Sequence, residues 1–235
     1  MNFDNNKQLV AVLNYLKADL ELKKFSYYDS FQKKWKKALN YYYSHNYIFC
    51  QKDISDYDQV FKYKYPFNGA TLTFEFSIQY IRTFFLKSNK SPSLFPNILL
   101  KNNDGIITNG NYFCDYTKYD LTDKNISFPD FDDIFVAPFP SLPLRFIVID
   151  GNHRLSLQVY SNKTSISARY CSEEICEKAL VSALNVAIYS CLLDCSIIKS
   201  NISKRTNLEI KRNLRIFNNS SLINNLENRG INAYI

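Results

Sequence analysis

Glycine and histidine are scarce in this chain of 235 residues, which contains five glycines and two histidines. Glycine has no side chain to pack, but it adopts backbone conformations that other residues disfavour. Each of the five glycines therefore marks a position where the backbone needs such a conformation. No G-x-S-x-G sequence is present, and since His45 and His153 are the two histidines, a serine or cysteine triad would have to recruit His153. The G-x-x-x-x-G-K-[ST] phosphate loop and the G-x-G-x-x-G fingerprint are missing too, which excludes the common nucleotide-binding loops.

Cysteine is also sparse, with six residues in the chain: Cys50, Cys114, Cys171, Cys176, Cys191 and Cys195. That number is too small for a disulfide scaffold of this length. The last two pairs are separated by four and three residues, which is not the tight spacing of structural zinc sites. We therefore expect small buried thiols. The N-terminal MNFDNNKQLV lacks the apolar stretch of a signal peptide, which predicts a cytoplasmic protein.

The composition is that of a globular protein, with 46% apolar and 22% charged residues. A formal charge of +7 would suit a polyanionic partner such as a nucleic acid or a nucleotide. The joint abundance of Lys, Asn, Ile, Tyr and Phe offers a second explanation, because an AT-rich coding sequence produces the same bias without selection for binding.

The chain divides into three parts, and together they predict an α+β fold. Residues 1–60 are predicted to be helical, residues 61–170 to form a mixed α/β core, and residues 171–235 to be helical again. All prolines and glycines except Gly230 fall in the central part. There we expect a strand beginning at 72 and turning into a helix that ends near 86, and short strands at 97–100, 145–149 and 165–170. A short helix is expected at 155–160, and residues 105–139 are expected to be an irregular insertion.

Both helical parts carry runs of basic residues that allow two interpretations. In the N-terminal part, KKWKK at 33–37 precedes the tyrosines at 41–43. Such a pattern can hold a nucleic-acid strand by charge and stacking, or it can be a solvated face whose aromatic side turns to the core. The C-terminal part is predicted to be helical from 173 to 199 and again from 207. Between 199 and 215 its basic residues are Lys199, Lys204, Arg205, Lys211, Arg212 and Arg215, against the single acid Glu209.

Residues 179–198, ALVSALNVAIYSCLLDCSII, are long enough to span a membrane. They contain Asn185, Asp194 and three serines, which lipid disfavours. A central helix in the protein core is the preferred interpretation, and no membrane partner is expected.

The most informative stretch is PLRFIVIDGNHRL at 143–155, where a β-prone run ends in several polar groups. A turn between a strand and a helix presents unpaired N–H groups and the positive end of the helix dipole, both of which attract an anion. Gly151 permits close approach, while Asn152, His153 and Arg154 add donors. Asp150 has the opposite charge, so it would cap the helix, orient its neighbours, or bind a Mg²⁺ ion that accompanies a nucleotide.

The sequence FIVIDGNHRLSL resembles the signature of the ParB/sulfiredoxin superfamily, in which a strand runs into a Gly-x-x-Arg turn at the head of a helix. The resemblance implies a ParB/sulfiredoxin-like mixed sheet that binds a nucleoside triphosphate, ATP or CTP. It places Gly151, Asn152, His153 and Arg154 at the phosphates, with Asp150 organising the contact. The sulfiredoxin nucleophile is a cysteine at the position of Asn152, which argues against that activity, and no recognition helix of the ParB clamps is evident.

Two functional hypotheses follow from the turn. The first is an NTPase or phosphotransferase in which Asp150, His153 and Arg154 are catalytic and a further carboxylate acts as base. Glu75 or Asp104 would supply that carboxylate, as the related serine kinases require one. The second is a nucleic-acid-binding module, non-catalytic or nuclease-like, of a plasmid, phage or defence system, which would use the turn together with the basic C-terminal helix. The sequence does not predict an oligomeric state.

Overall fold

The computed structural model describes residues 3–46, 60–88, 90–96, 100–101, 106–108, 111–113, 134–140, 146–151, 154–155 and 164–218. Helices are α1 (Phe3–Ala18), α2 (Leu20–Lys23), α3 (Tyr28–Ser44), α4 (Ile78–Ser88), α5 (Glu173–Ala179), α6 (Ala183–Asn201) and α7 (Asn207–Asn213), followed by a 3₁₀ turn at Arg215–Phe217. Strands are β1 (Val60–Phe67), β2 (Ala70–Ser77), β3 (Ser93–Pro96), β4 (Leu100–Lys101), β5 (Ile106–Thr108), β6 (Asn111–Phe113), β7 (Phe135–Pro138), β8 (Phe146–Asp150) and β9 (Ser165–Tyr170). Helices combined with mixed sheets confirm the predicted α+β class.

The chain forms two compact units. The first unit takes its described residues from Met1–Gln79, Pro140–Pro143 and Glu177–Ile235, and the second from Tyr80–Phe139 and Leu144–Cys176. The β1–β2 hairpin, which the sequence division assigns to the central part, lies in the first unit.

Helices α1, α3 and α6 build the core of the first unit, and α3 shows how the sequence produces this packing. Its apolar residues recur at spacings of three and four, so Phe31, Trp35, Leu39 and Tyr42 are buried while the lysines between them are exposed. The aromatic side therefore faces the core, as one of the two interpretations predicts. Among the tyrosines at 41–43, Tyr42 is buried, Tyr43 is half-buried and Tyr41 is 44% exposed.

Helix α6 is the central helix of the first unit. It is long and apolar enough to span a membrane, yet 83% of its 18-residue window is buried inside the protein. The prediction of one continuous helix from 173 to 199 is wrong, because the chain leaves the helix between α5 and α6. There Leu180 forms a β-bridge with Phe76, and the Ser182 side chain caps α6 by accepting a hydrogen bond from the Asn185 N–H.

The β1–β2 hairpin turns at Asn68 and Gly69, whose φ angles of 46° and 77° are those of a tight hairpin turn. Strand β2 passes directly into α4 at Ser77/Ile78, which confirms the predicted change from strand to helix in this stretch.

The second unit is built on a five-stranded mixed sheet in the order β3-β9-β7-β8-β4. Strands β7 and β8 are antiparallel, while β9 runs parallel to β7 and β4 parallel to β8. One face carries a core of Ile134, Val136, Val148, Leu155, Ile166 and Ala168. The other face receives α4, since the Phe85 ring lies 5.4 Å from the Phe135 ring.

The predicted strands at 145–149 and 165–170 are confirmed as β8 and β9. The prediction of an irregular insertion at 105–139 is wrong where β5, β6 and β7 form. Strands β5 and β6 pair with each other, whereas β7 pairs with β8 and β9, which come later in the sequence. Of the helix predicted at 155–160, Leu155 is helical and the remainder lies outside the described residues.

Cys171, Cys176, Cys191 and Cys195 are buried thiols that form no disulfide, as predicted, while Cys50 and Cys114 lie outside the described residues. Burial raises the pKa of the Cys171 thiol. Among the described residues no group of three His, Cys, Asp or Glu side chains could hold a metal ion.

Candidate functional site

Strand β8 ends with a register shift that decides where Asp150 points. Val148 pairs with Val136, but Asp150 pairs with Phe135, so one extra residue, Ile149, is accommodated in β8. An extra residue reverses the alternation of side chains. Asp150 therefore shares the Phe135 side of the sheet, the side on which α4 packs.

The Asp150 carboxylate holds two guanidinium groups. Its Oδ2 accepts hydrogen bonds from Arg82 Nε at 3.1 Å and Arg82 Nη2 at 2.7 Å. Its Oδ1 accepts a 2.8 Å bond from the Gly151 N–H and lies 3.9 Å from Arg154 Nη2. Asp150 thus connects helix α4 with the turn that follows β8.

Gly151 begins the helical turn that carries Arg154 and Leu155. Its carbonyl accepts a 2.9 Å bond from the Leu155 N–H, and its φ of +88° lies in the left-handed region. A Cβ at this position would lie 3.0 Å from Ile134 Cα and 3.1 Å from Arg154 Nη2. Because Gly151 has no side chain, the Arg154 guanidinium can pack against the turn.

The Arg154 guanidinium lies near Asp150 without a hydrogen bond to it. The 3.9 Å separation from Asp150 Oδ1 exceeds hydrogen-bond length, so the two groups interact by charge alone. The Arg154 side chain is 14% exposed, and much of its charge is removed from water. Such a guanidinium gains more from an arriving phosphate oxygen than a fully solvated one would.

Arg82 is a site residue that sequence reasoning missed. It lies 68 residues before Asp150, and no local pattern around it indicates a partner there. Arg169 also reaches this side of the sheet, because it pairs with Phe135 in β7 and its guanidinium lies 5.7 Å from the Phe85 ring centre. Its Nη1 donates to the Lys90 carbonyl. The only signal that could have suggested Arg82 is its place one helical turn after the predicted change from β2 to α4.

Of the remaining predicted site residues, the structure describes Glu75 alone. Glu75 lies on β2 in the first unit, where Lys62 Nζ is 2.8 Å from its Oε1 and its N–H donates to Asn185 Oδ1. Asn152, His153 and Asp104 lie outside the described residues. The predicted capping of the following helix by Asp150 would involve the N–H groups of 152 and 153, which lie outside the described residues.

The setting of Asp150 does not fit direct binding of a magnesium ion. Both carboxylate oxygens already accept hydrogen bonds, and two guanidinium groups lie within 4 Å. A divalent cation prefers oxygen ligands and is repelled by neighbouring positive charge. Any Mg²⁺ in this turn would have to be held by the phosphates that accompany it.

Several cations of the basic C-terminal part make contacts within the protein. Lys199 Nζ lies 2.9 Å from Asp19 Oδ2, and Arg215 Nε lies 2.8 Å from Glu177 Oε1. Lys211 Nζ lies over the Tyr27 ring at 4.2 Å. The side chains of Lys204, Arg205 and Arg212 are exposed.

No protein-family model, curated protein or solved structure matches this chain.

Proposed function

We propose that the turn after β8 binds the phosphates of a nucleoside triphosphate, in the manner of the ParB/sulfiredoxin superfamily that its sequence resembles. The observation that carries the proposal is the Asp150 carboxylate, which lies near the guanidinium groups of both Arg82 and Arg154 at the end of the inner strand β8.

Asp150 acts in this proposal as a positioning residue. Its hydrogen bonds to Arg82 and to the Gly151 N–H fix the start of the turn. Arg154 contacts the phosphate, because its interaction with Asp150 is one of charge and not a hydrogen bond that would have to break. The sequence resemblance implies that N–H groups at the head of the following helix supply further donors.

The reaction proposed is hydrolysis or transfer of the terminal phosphoryl group. Arg154 neutralises the charge that develops on the phosphoryl oxygens, which is the largest protein contribution in reactions of this class. His153 donates to a phosphate oxygen or moves a proton. The assignment of Glu75 or Asp104 as the base remains a prediction.

Thermal unfolding of the protein with ATP, CTP or GTP, each with and without Mg²⁺, tests the proposal. A ligand at about one hundred times its Kd stabilises the native state by about 2.7 kcal/mol, which is readily measured as a rise in Tm. We expect one nucleotide to raise the Tm of the wild type and Arg154→Gln to lose that response.

Lys87→Gln is the matched control, because Lys87 is an exposed cation of the same unit. It should respond to the nucleotide as the wild type does. No rise in Tm with any nucleotide, or an unchanged rise in Arg154→Gln, would reject the proposed function.

A further inference from the structure

The positive charge of the protein belongs to one of its two units. Acidic and basic residues are equal in number in the segments Tyr80–Phe139 and Leu144–Cys176 of the second unit. The formal charge of +7 is therefore carried by the first unit. The turn after β8 lies in the neutral unit, so this charge needs a separate explanation.

Two lysines that are far apart in the sequence meet at one aromatic ring in the first unit. Lys34 Nζ on α3 lies 5.3 Å from the centre of the Phe217 ring, and Lys211 Nζ on α7 lies 5.2 Å from it. The Lys211 ammonium also lies 4.2 Å from the Tyr27 ring centre. The negative faces of the rings stabilise these cations and hold both of them at one surface.

A buried network fixes the position of Phe217. The Asp194 carboxylate, which is fully buried, accepts hydrogen bonds from the Arg215 and Ile216 N–H groups at 3.0 and 3.1 Å. The Trp35 indole of α3 donates to the same carboxylate at 3.3 Å. The network thus ties the 3₁₀ turn to the helix that carries Lys34, and the cations are arranged before any ligand arrives.

Helix α3 extends this cationic surface. Lys34, Lys37 and Tyr41 follow one another at spacings of three and four, which places them along one exposed side of the helix. The Tyr41 ring stacks on the His45 ring with centres 4.5 Å apart and planes at 22°. The one acid of α3 is Asp29, in its first turn, and the one acid of α7 is Glu209, in a capping box with Thr206.

We propose that the surface formed by Lys34, Lys37, Tyr41, Lys211 and Phe217, here called the Phe217 surface, binds a single-stranded nucleic acid. The ammonium groups match its phosphates in charge, and the exposed Tyr41 offers a ring on which a base stacks. An anionic membrane fits less well, because the exposed side of α3 carries no Phe, Leu or Trp side chain that would insert into lipid.

Fluorescence anisotropy of a labelled oligothymidylate over a range of salt concentrations tests this proposal. We expect Lys34→Gln/Lys211→Gln to weaken binding by about tenfold or more and to reduce the salt slope by about 1.4, since each lost phosphate contact on a single strand is worth about 0.7. Tyr41→Ala should weaken binding by about fivefold while leaving the salt slope unchanged, because it removes stacking and no charge.

Lys17→Gln/Lys87→Gln is the control, since it removes two exposed lysines that lie outside the Phe217 surface. It should bind as the wild type does. The proposal is wrong if the control loses as much affinity as Lys34→Gln/Lys211→Gln, because net charge alone would then explain binding. It is also wrong if the wild type sediments with phosphatidylserine vesicles and does not bind the oligonucleotide.

Discussion

Gly151 is restricted both by its backbone conformation and by its neighbours, and alanine at this position tests the two restrictions together. The left-handed φ of +88° costs a residue with a Cβ about 1–2 kcal/mol. The new Cβ would also lie 3.0 Å from the Ile134 Cα, a backbone atom that cannot rotate away. We expect Gly151→Ala to lower the free energy of unfolding by about 2–5 kcal/mol, measured by urea denaturation.

Gly69→Ala is the control for the backbone contribution. Gly69 has a similar φ of +77°, but no atom lies within 4 Å of the position of its Cβ. The expected loss is about 1–2 kcal/mol, the conformational cost alone. Equal losses in the two variants would show that the contact with Ile134 relaxes freely.

Asp194 gives a residue-scale prediction for the dependence of stability on pH. Burial raises the pKa of Asp194 from 3.8 to about 6, although the charge of Arg215 and the N–H groups of Arg215 and Ile216 lower it in part. The neighbouring charged groups are Arg215 and, bound to Arg215, Glu177. Because the folded pKa is the higher one, the native state binds more protons than the unfolded state between these two values.

The contribution of Asp194 to stability is therefore complete below its unfolded pKa of 3.8 and is lost as the pH rises through about 6. We expect the stability advantage of the wild type over Asp194→Asn to shrink by about 3 kcal/mol between about pH 4 and about pH 7. Urea denaturation across this range measures it. Ser196→Ala on the same helix is the uncharged control, and an advantage that grows with pH would contradict the sign.

Among the elements, helix α4 is held on the sheet by one face, and substitutions of two adjacent residues of α4 test this. Phe85 is 5% exposed and packs on Phe135 of β7, whereas Leu86 is 63% exposed. We expect Phe85→Ala to cost about 3–5 kcal/mol in free energy of unfolding, through lost burial and a cavity. Leu86→Ala should cost about 0.5 kcal/mol or less. Similar costs would mean that α4 is not anchored through Phe85.

Elements that are determined by the local sequence were predictable, and elements that depend on contacts with distant residues were not. The passage from β2 to α4 follows a change in hydrophobic period within the sequence itself, and β8 is a short apolar run ended by Gly151. The break before α6 involves pairing between Leu180 and Phe76, about one hundred residues apart, and the local cap Ser182 alone did not reveal it.

The candidate site divides in the same way. The motif identified Asp150, Gly151 and Arg154 because a strand, a turn and a helix follow one another there. The direction in which Asp150 points could not be predicted, since it depends on the register shift opposite Phe135. Arg82 could not be predicted because its contact with Asp150 joins two separate elements of the second unit.

At the scale of the whole molecule, the two proposed activities belong to different units and depend on different charges. Arg154 lies in the neutral second unit, while Lys34 and Lys211 lie in the first unit, which carries the net charge. We expect Arg154→Gln to lose the nucleotide-dependent rise in Tm and to keep its affinity for the oligothymidylate. Lys34→Gln/Lys211→Gln should show the reverse, with the nucleotide response intact.

Thermal unfolding with nucleotide and anisotropy with oligothymidylate, both made on the same preparations of the two variants, measure this separation. Lys87→Gln serves both assays as the single-charge control, because it lies in neither proposed site. If either variant lost both responses, the nucleotide and the nucleic acid would share one site. The net charge of the first unit would then need another partner, because the phosphates would already be bound at the turn after β8.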